Sequence, residues 1–432
     1  MKKLLSVITI MLCMVVVLNT AAQGAGLESK GIGTRGRGMG FAMVAIPGYW
    51  AAIHYNPACV QTDERSIFGF EYEYFTGSLE STASLRNLSV AQANPRRGDF
   101  IDFIGDEPAA FKKKSISSTI HFGALGYIFV QNNVSWGIGF YGSGSGTKWQ
   151  DAIVTSSTGD TITAKVAFTN CSLNIPLAFS YRASPVLSFG ATLGMYWGLL
   201  TYENQKIRIG QIPYVSKTIQ DTAGVGLGVD VGALWRAKPN LNFGLVFKLP
   251  YTFRKSGDTE IEQSLSSLSA VSDTTVDMRY PLRIALGSAW RPFTRHLIAC
   301  NLTWLNWDKY NLKINYKNEV PGIFKDSSSN PADWEDTIVV NLGYEWERNN
   351  RWTYRFGLTY DMAPEPEHAR TLTGGQVVDA WLFSLGTGIN LGKNIIDITY
   401  IYTYGPEVSG FIPDAKYSMN LHEVSIGIVK KW

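Results

Sequence analysis

From residue 66 to its end the chain alternates apolar with small or polar positions at a period of two, segment after segment. Between Leu187 and Tyr202, one face carries Leu187, Phe189, Ala191, Leu193, Met195, Trp197 and Leu199. The other carries Ser188, Gly190, Thr192, Gly194, Tyr196 and Gly198. Residues 351–360 set Trp352, Tyr354, Phe356, Leu358 and Tyr360 against Arg351, Thr353, Arg355, Gly357 and Thr359. Residues 337–347 set Ile338, Val340, Leu342, Tyr344 and Trp346 against Val339, Asn341, Gly343, Glu345 and Glu347. Residues 224–235 and 241–250 repeat the pattern, with Asp230 and Lys248 among the inner positions. A strict period of two marks a strand lying between two unlike environments. A soluble sandwich would present a charged outer face. Here the apolar face ends in Trp and Tyr, and the opposite face holds glycine, serine and single charges. That is the pattern of a transmembrane β-barrel with lipid outside and a partly packed lumen.

Fourteen such segments are predicted, at 66–75, 118–130, 133–147, 167–182, 186–206, 222–236, 240–254, 279–291, 294–308, 336–347, 351–362, 380–390, 393–405 and 420–432. Their connections alternate in length. Residues 131–133, 183–185, 237–240, 348–350 and 391–394 are tight turns rich in Asn, Pro, Gly and Ser. The loops 76–117, 255–278 and 309–335 between them are long and polar. Short periplasmic turns, long outer loops and an even strand number describe a closed antiparallel barrel with no edge in lipid. The last segment alternates Val424, Ile426 and Ile428 with Glu423, Ser425 and Gly427 and stops on Trp432, although Lys430 interrupts its apolar face. A final amphipathic strand ending on an aromatic residue resembles the signal that outer-membrane barrels present to the barrel-insertion machinery.

The start of the chain fits that compartment. Lys2 and Lys3, the apolar run Leu4–Leu18 and the small residues around Ala21-Ala22 form a secretion signal, with cleavage after Ala22 or Gly24. Cys13 lies inside the apolar run, which is shorter than the roughly 20 residues needed to span a bilayer. The three domains expected are a cleaved signal at 1–22, an N-terminal plug at 23–65 and the barrel at 66–432.

Composition narrows the chemistry. Forty-five per cent of residues are hydrophobic and 13% aromatic, yet mean hydropathy is -0.03 and no second long apolar stretch follows the signal, which excludes a helical membrane protein. Without Lys2 and Lys3 the formal charge falls from +3 to +1, so no nucleic-acid partner is expected. Cys59, Cys171 and Cys300 make neither a disulfide framework nor a zinc spacing, and no metal or cofactor is expected. The five histidines, His54, His121, His296, His368 and His422, show no partner pattern for hydrolysis, so no catalytic residue is assigned. The glycine-rich stretch from Gly31 has neither a preceding strand nor a Gly-Lys-Ser/Thr, which excludes a phosphate loop.

That stretch, "GIGTRGRGMGFAMVAIPGYWAAIHYNPACV" from Gly31 to Val60, is too apolar for a periplasmic tail and suits a compact plug. Here the chain resembles the FadL/TodX family of outer-membrane transporters of hydrophobic compounds. The family's fold is a fourteen-stranded barrel with an N-terminal hatch: a small-residue run, a variable stretch, then an Asn-Pro-Ala turn. Gly38, Gly40, Asn56, Pro57 and Ala58 match that order. Ile46-Pro47-Gly48-Tyr49-Trp50 departs from it, since many relatives carry acidic residues there. Residues 134–149, 172–198 and 352–370 continue the resemblance.

The resemblance implies passive uptake of a hydrophobic small molecule, a long-chain fatty acid or an aromatic or aliphatic hydrocarbon, by a monomer set in outer-membrane lipid. It implies lateral exit beside a kinked third strand, where Gly142, Gly144 and Gly146 stand; a run of glycine marks a bulge or kink. Phe100, Phe103, Phe111 and Trp149 are candidates for an entry groove, or equally for an interfacial belt. At the outer end of the fifth strand, where fatty-acid transporters of the family hold a carboxylate, this chain has Asn204, with Lys206 and Arg208 just beyond. Arg283, Glu345 and Arg355 read as ion pairs bracing barrel and hatch. A different reading is a non-transporting barrel that docks a secretion or cell-surface attachment machinery.

Overall fold

The computed structural model describes residues 29–82, 114–155, 161–209, 214–264, 268–318, 324, 327–331, 333–367, 370, 378–409 and 416–432. Its strands close into a fourteen-stranded antiparallel barrel. The ten unbroken strands are β1 (Ser66–Thr82), β2 (Lys114–Gln131), β3 (Val134–Thr155), β4 (Thr161–Arg182), β5 (Leu187–Ile209), β6 (Tyr214–Lys238), β11 (Trp352–Asp361), β12 (Ala380–Leu391), β13 (Asn394–Ser409) and β14 (Lys416–Lys431). Each of the other four is interrupted once. They are β7 (Leu241–Lys248 and Tyr251–Gln263), β8 (Leu268–Tyr280 and Arg283–Phe293), β9 (His296–Leu305 and Asn311–Tyr316) and β10 (Ser327–Pro331 and Thr337–Glu347).

Closure is made by β1, which pairs with β2 on one side and with β14 on the other, from Ile67↔Lys431 to Thr82↔Lys416. The final residue is tied into this join. The Trp432 N–H donates to the Ser66 carbonyl at 3.1 Å, and Arg65 N–H donates to the Trp432 carbonyl at 3.1 Å. Where the ladder is continuous, its backbone polar groups are satisfied without water.

The two faces follow the sequence pattern. Leu193, Trp197, Leu227 and Leu286 are about half exposed on the outside, where lipid would cover them, while Ser180, Thr192, Asn301 and Glu345 are buried within. All fourteen expected segments are present, but most extend farther at their outer ends. Residues 255–263, 268–278 and 311–316, expected as loop, continue β7, β8 and β9. The reason is chemical. Stretches such as Arg254-Lys255-Ser256-Gly257-Asp258-Thr259-Glu260 lack the apolar outward face that identified the lower strands, since above the bilayer the outward face meets polar surroundings.

Two gaps in the ladder lie on opposite sides of the barrel. β2 and β3 pair from Gln131↔Val134 to Ala124↔Tyr141 and no farther, although β2 continues outward against β1 and β3 against β4. Across the barrel, β7 and β8 pair up to Lys248↔Arg283 and resume at Tyr251↔Tyr280. Leu249-Pro250 and Pro281-Leu282 fill the space between, and proline has no N–H for a ladder bond.

Candidate functional site: the lumen and its N-terminal segment

Residues 29–65 lie against the inner faces of strands from all round the barrel. Two short helices, α1 (Thr34–Gly38) and α2 (Ala52–Tyr55), and a 3-10 turn (Pro57–Val60) carry the segment. Nearly every residue from Gly31 to Gln61 is buried, including Met39, Trp50 and Val60. This explains the glycine-lined lumen. A Cβ on Gly357 would stand 2.1 Å from the Gly40 backbone nitrogen, and one on Gly232 would stand 2.2 Å from Asn56 Oδ1. Gly69, Gly126 and Gly137 leave similar room for Trp50 and Ile53. Gly40 itself adopts φ 57° while sitting 2.8 Å, at its Cβ position, from the Leu342 carbonyl, so both its backbone and its surroundings demand glycine.

Polar contacts hold the segment at both ends. Arg35 makes a two-pronged pair with Glu345, Nε to Oε2 at 2.8 Å and Nη2 to Oε1 at 2.7 Å. Arg355, opposite Glu345 in the ladder, also donates to it at 2.7 Å and donates to Asp397 at 2.7 Å. Arg37 pairs with Glu71, Glu73 and Glu423 of β1 and β14. Glu71 also accepts the Gly33 N–H at 2.7 Å. Glu345 and Arg355 thus join barrel to segment as expected, whereas Arg283 lies in the cavity wall described below. At the far end, Asn56 Nδ2 donates to the carbonyls of Val44 and Ala233, at 2.8 and 3.1 Å, while its Oδ1 accepts the Ala58 N–H at 3.0 Å. Asn56, Pro57 and Ala58 therefore form a pin between the segment and β6. Gly38 lies against Arg355 and Thr399. His54 Nδ1 is 2.9 Å from the Tyr141 hydroxyl, and burial, with Arg283 and Lys248 nearby, holds its imidazole well below the usual range.

Tyr141 is also the last residue of β3 in register with β2. Beyond it Gly142, Gly144 and Gly146 pair regularly with Leu173, Cys171 and Thr169 of β4, so the glycine run has no bulge on that side. The ladder is missing on the other side, toward β2. Asn174 Nδ2 reaches across to the Tyr141 carbonyl at 3.3 Å and to Ser143 Oγ at 2.8 Å.

Two cavities flank the start of the segment and share Ser29, Lys30 and Phe41. One is lined further by Glu73, Phe75 and Gly142, beside the end of the β2–β3 ladder. The other is lined by Arg283, Leu305 and Val339, beneath the break in β8 and β9. Above the second lies an aromatic cluster. Tyr251 stacks between Tyr196 and Tyr280 at 4.7 and 4.8 Å, and Trp334 stacks on Tyr310 at 4.5 Å. Lys255 is fully buried near these rings, donating to Asn170 and to the Leu199 carbonyl at 3.2 Å, with its ammonium 4.5 Å from the Phe253 ring.

The side chains of Lys206, Arg208 and Trp149, and residues Phe100, Phe103 and Phe111 altogether, lie outside the described residues, as does the signal region. Sequence reasoning named Glu345 but passed over Arg35 and Arg37 and the carboxylates that meet Arg37. The inward charges Glu71, Glu73 and Glu423 were the available signal, since a carboxylate facing a packed lumen requires a cation. Among the described residues no group of His, Cys, Asp or Glu is arranged to hold a metal.

A family model of outer membrane transport proteins (OMPP1/FadL/TodX) matches residues 15–416. The long-chain fatty acid transport protein of Salmonella typhi is 20% identical over 425 residues, covering 91% of each chain. Among solved structures, a Pseudomonas aeruginosa FadL homologue superposes with a TM-score of 0.73 at 15% identity, covering 94% of this chain and 99% of that one. The Pseudomonas putida toluene transporter TodX superposes with a TM-score of 0.66 at 16% identity, covering 94% and 99%. At these identities the structural likeness establishes the fold.

Proposed function

This chain belongs to the OMPP1/FadL/TodX family of outer membrane transport proteins, and we propose that it takes up hydrophobic small molecules passively and releases them sideways into the bilayer. The family is one of transporters rather than enzymes, and the compartment is the outer membrane. A lipophile is held back by the polar outer leaflet and gains nothing from a water-filled pore. A barrel whose lumen is closed by a packed segment offers it apolar surfaces and a wall it can leave through.

The observation that carries this reading is the end of the β2–β3 ladder at Ala124↔Tyr141, with a cavity bordered by Gly142 on its inner side. Unpaired backbone at membrane depth persists where it lines a cavity. Residues 23–65 act as the hatch, which obstructs straight passage to the periplasm. Long-chain fatty acids and aromatic or aliphatic hydrocarbons are the solute classes, in keeping with what the relatives' names state of those proteins. Lys206 and Arg208 are the candidate cations for a polar head group. The protein works as a monomer in outer-membrane lipid, delivered by the insertion machinery that reads the strand ending at Trp432.

Cells lacking other uptake routes and expressing the protein provide the test. Radiolabelled oleate and toluene are offered separately, with a disaccharide as polar control. Uptake of at least one lipophile above the empty-vector level, without disaccharide entry, is expected. Equal uptake with and without the protein for both lipophiles would refute the reading.

A further inference from the structure

The interruptions of β7, β8, β9 and β10 form one continuous seam. It starts at Leu249-Pro250 against Pro281-Leu282, runs through Asn306–Tyr310 with its 3-10 turn Trp307–Lys309, and ends at residues 333–336. Pro250 and Pro281 fall opposite each other in the register set by Lys248↔Arg283 and Tyr251↔Tyr280. Neither can donate a ladder bond, so the β7–β8 contact is weakened from both sides.

The height of this seam matches that of the β2–β3 seam. Eight ladder pairs separate each break from its periplasmic turn, 131/134 to 124/141 in one case and 290/241 to 283/248 in the other. Eight steps of about 3.4 Å in strands tilted by about 40° rise roughly 20 Å, inside an apolar band about 25 Å tall. Both breaks therefore face hydrocarbon. Leu249 is 43% exposed at the outer mouth of the second, and Leu227 and Leu286 lie exposed on the neighbouring strands.

Inside, the two seams are served alike. The cavity lined by Gly142 adjoins the first, and the cavity lined by Arg283 and Leu305, the last paired residues below the break, adjoins the second; both are also lined by Ser29, Lys30 and Phe41. The difference is in the stopper. The first seam is unpaired outward for the rest of β2, whereas the second is backed by the Tyr196–Tyr251–Tyr280 stack and, higher up, by Trp307, Tyr310 and Trp334. Trp307 is fully buried and, among the described residues, its Nε1–H has no hydrogen-bond partner. That cost is unusual in a wall built only for stability.

We propose that the Pro250/Pro281 seam is a second lateral portal for the apolar solute, stoppered by stacked tyrosines whose displacement opens it to the bilayer. This rests on the uptake reading above. The rings that close the seam present flat faces, with Lys248 5.5 and 5.4 Å from the Tyr196 and Tyr251 rings and Asn170 donating to the Tyr280 hydroxyl at 3.4 Å, so a lipophile entering from the Leu305 side exchanges one ring-face contact for another while water and ions gain no path.

The experiment uses a variant in which Cys59, Cys171 and Cys300 are replaced by Ser, the fluorescent lipophile N-phenyl-1-naphthylamine as probe, and heat-modifiable gel mobility as the control for folding. The first seam is closed by a short bifunctional thiosulfonate joining Gly123→Cys to Gly142→Cys. Leu249→Cys and Leu282→Cys, opposite each other across the second seam, form a reversible disulfide. With the first seam linked, uptake should persist, drop to the empty-vector level when the second disulfide forms, and return on reduction. Tyr251→Ala in the linked background should raise uptake several-fold. Loss of all uptake on linking the first seam alone, with the unlinked protein active, would overturn the second portal and leave uptake intact. A Leu249→Cys/Leu282→Cys disulfide that forms and changes nothing would overturn the second portal equally. Absence of uptake by the unlinked protein would instead overturn the uptake reading and this inference together.

Discussion

Replacing Arg37 with Met removes the cation that Glu71, Glu73 and Glu423 share, and leaves three carboxylates in a lumen where each was placed to meet a guanidinium. The Arg37 side chain is 8% exposed and those of Glu71 and Glu73 only 2% and 3%, so solvent screens the group little. Breaking a buried pair by removing one partner costs about 3–5 kcal/mol. At about 1.4 kcal/mol per tenfold, the population with the α1 end of the segment undocked should rise by roughly two to nearly four orders of magnitude. Hydrogen exchange reads this directly. The amides of Gly33, Arg37 and Phe41 are held by Glu71 Oε1 at 2.7 Å, the Gly33 carbonyl at 3.0 Å and the Gly36 carbonyl at 2.8 Å. Their exchange should accelerate by the same factor as the undocked population, while amides in β5 and β6 keep their protection. A triple variant, Arg37→Met with Glu73→Gln and Glu423→Gln, removes most of the stranded charge and should recover most of the protection. If Arg37→Met exchanged at the wild-type rate, the ion cluster would not be what fixes the segment to the wall.

Gly357→Ala should loosen the same region by another route, since the new methyl meets the Gly40 backbone nitrogen at 2.1 Å; overpacking of this kind costs about 1–3 kcal/mol, seen as a lower unfolding midpoint. Acid should weaken the opposite end. Burial first, then Arg283 and Lys248, hold the His54 imidazole well below its usual range, so the unfolded chain binds a proton that the docked segment refuses. The stability is fully present above the unfolded value of about 6.5 and is lost as pH falls below it, by up to about 1.4 kcal/mol per pH unit. A plot of melting midpoint against pH should lose that component in His54→Phe; an unchanged slope would assign the acid sensitivity to other groups.

The barrel was legible because lipid imposes one rule on every outward position of every strand. The period-two pattern through Leu187–Leu199 or Trp352–Tyr360 needs no partner strand to be recognised. The same logic made the outer extensions illegible, since Arg254 and Ser256 point outward where no lipid demands an apolar face. The glycines of the lumen were visible as composition, but that Gly357 receives Gly40 and Gly232 receives Asn56 depends on a contact between residues hundreds apart. Pairing across the closed ring has the same character. Pro250 and Pro281 are plain in the sequence as breakers, yet their juxtaposition follows only from the register of β7 on β8. Glu73 and Glu423 come together because the first strand meets the last. The glycine run at Gly142–Gly146 lies on the strand whose pairing with β2 ends at Tyr141, while the side on which pairing fails is set by where β2 departs from β3, which no local signal records.

Flux through the β2–β3 seam is the most direct test of the account. In the cysteine-free protein, Gly123→Cys and Gly142→Cys occupy the first register step beyond the last pair, Ala124↔Tyr141. Uptake of the fluorescent lipophile is followed in cells before and after these two thiols are joined, with gel mobility showing that the barrel stays folded. Joining them should cut the rate well below that of the unjoined protein, leaving only what passes at the Pro250/Pro281 seam, and reduction should restore it. A folded, fully joined barrel that takes up the probe at the unjoined rate would contradict lateral release at this seam, and either the Pro250/Pro281 seam or a route through the hatch to the periplasm would have to carry the flux instead.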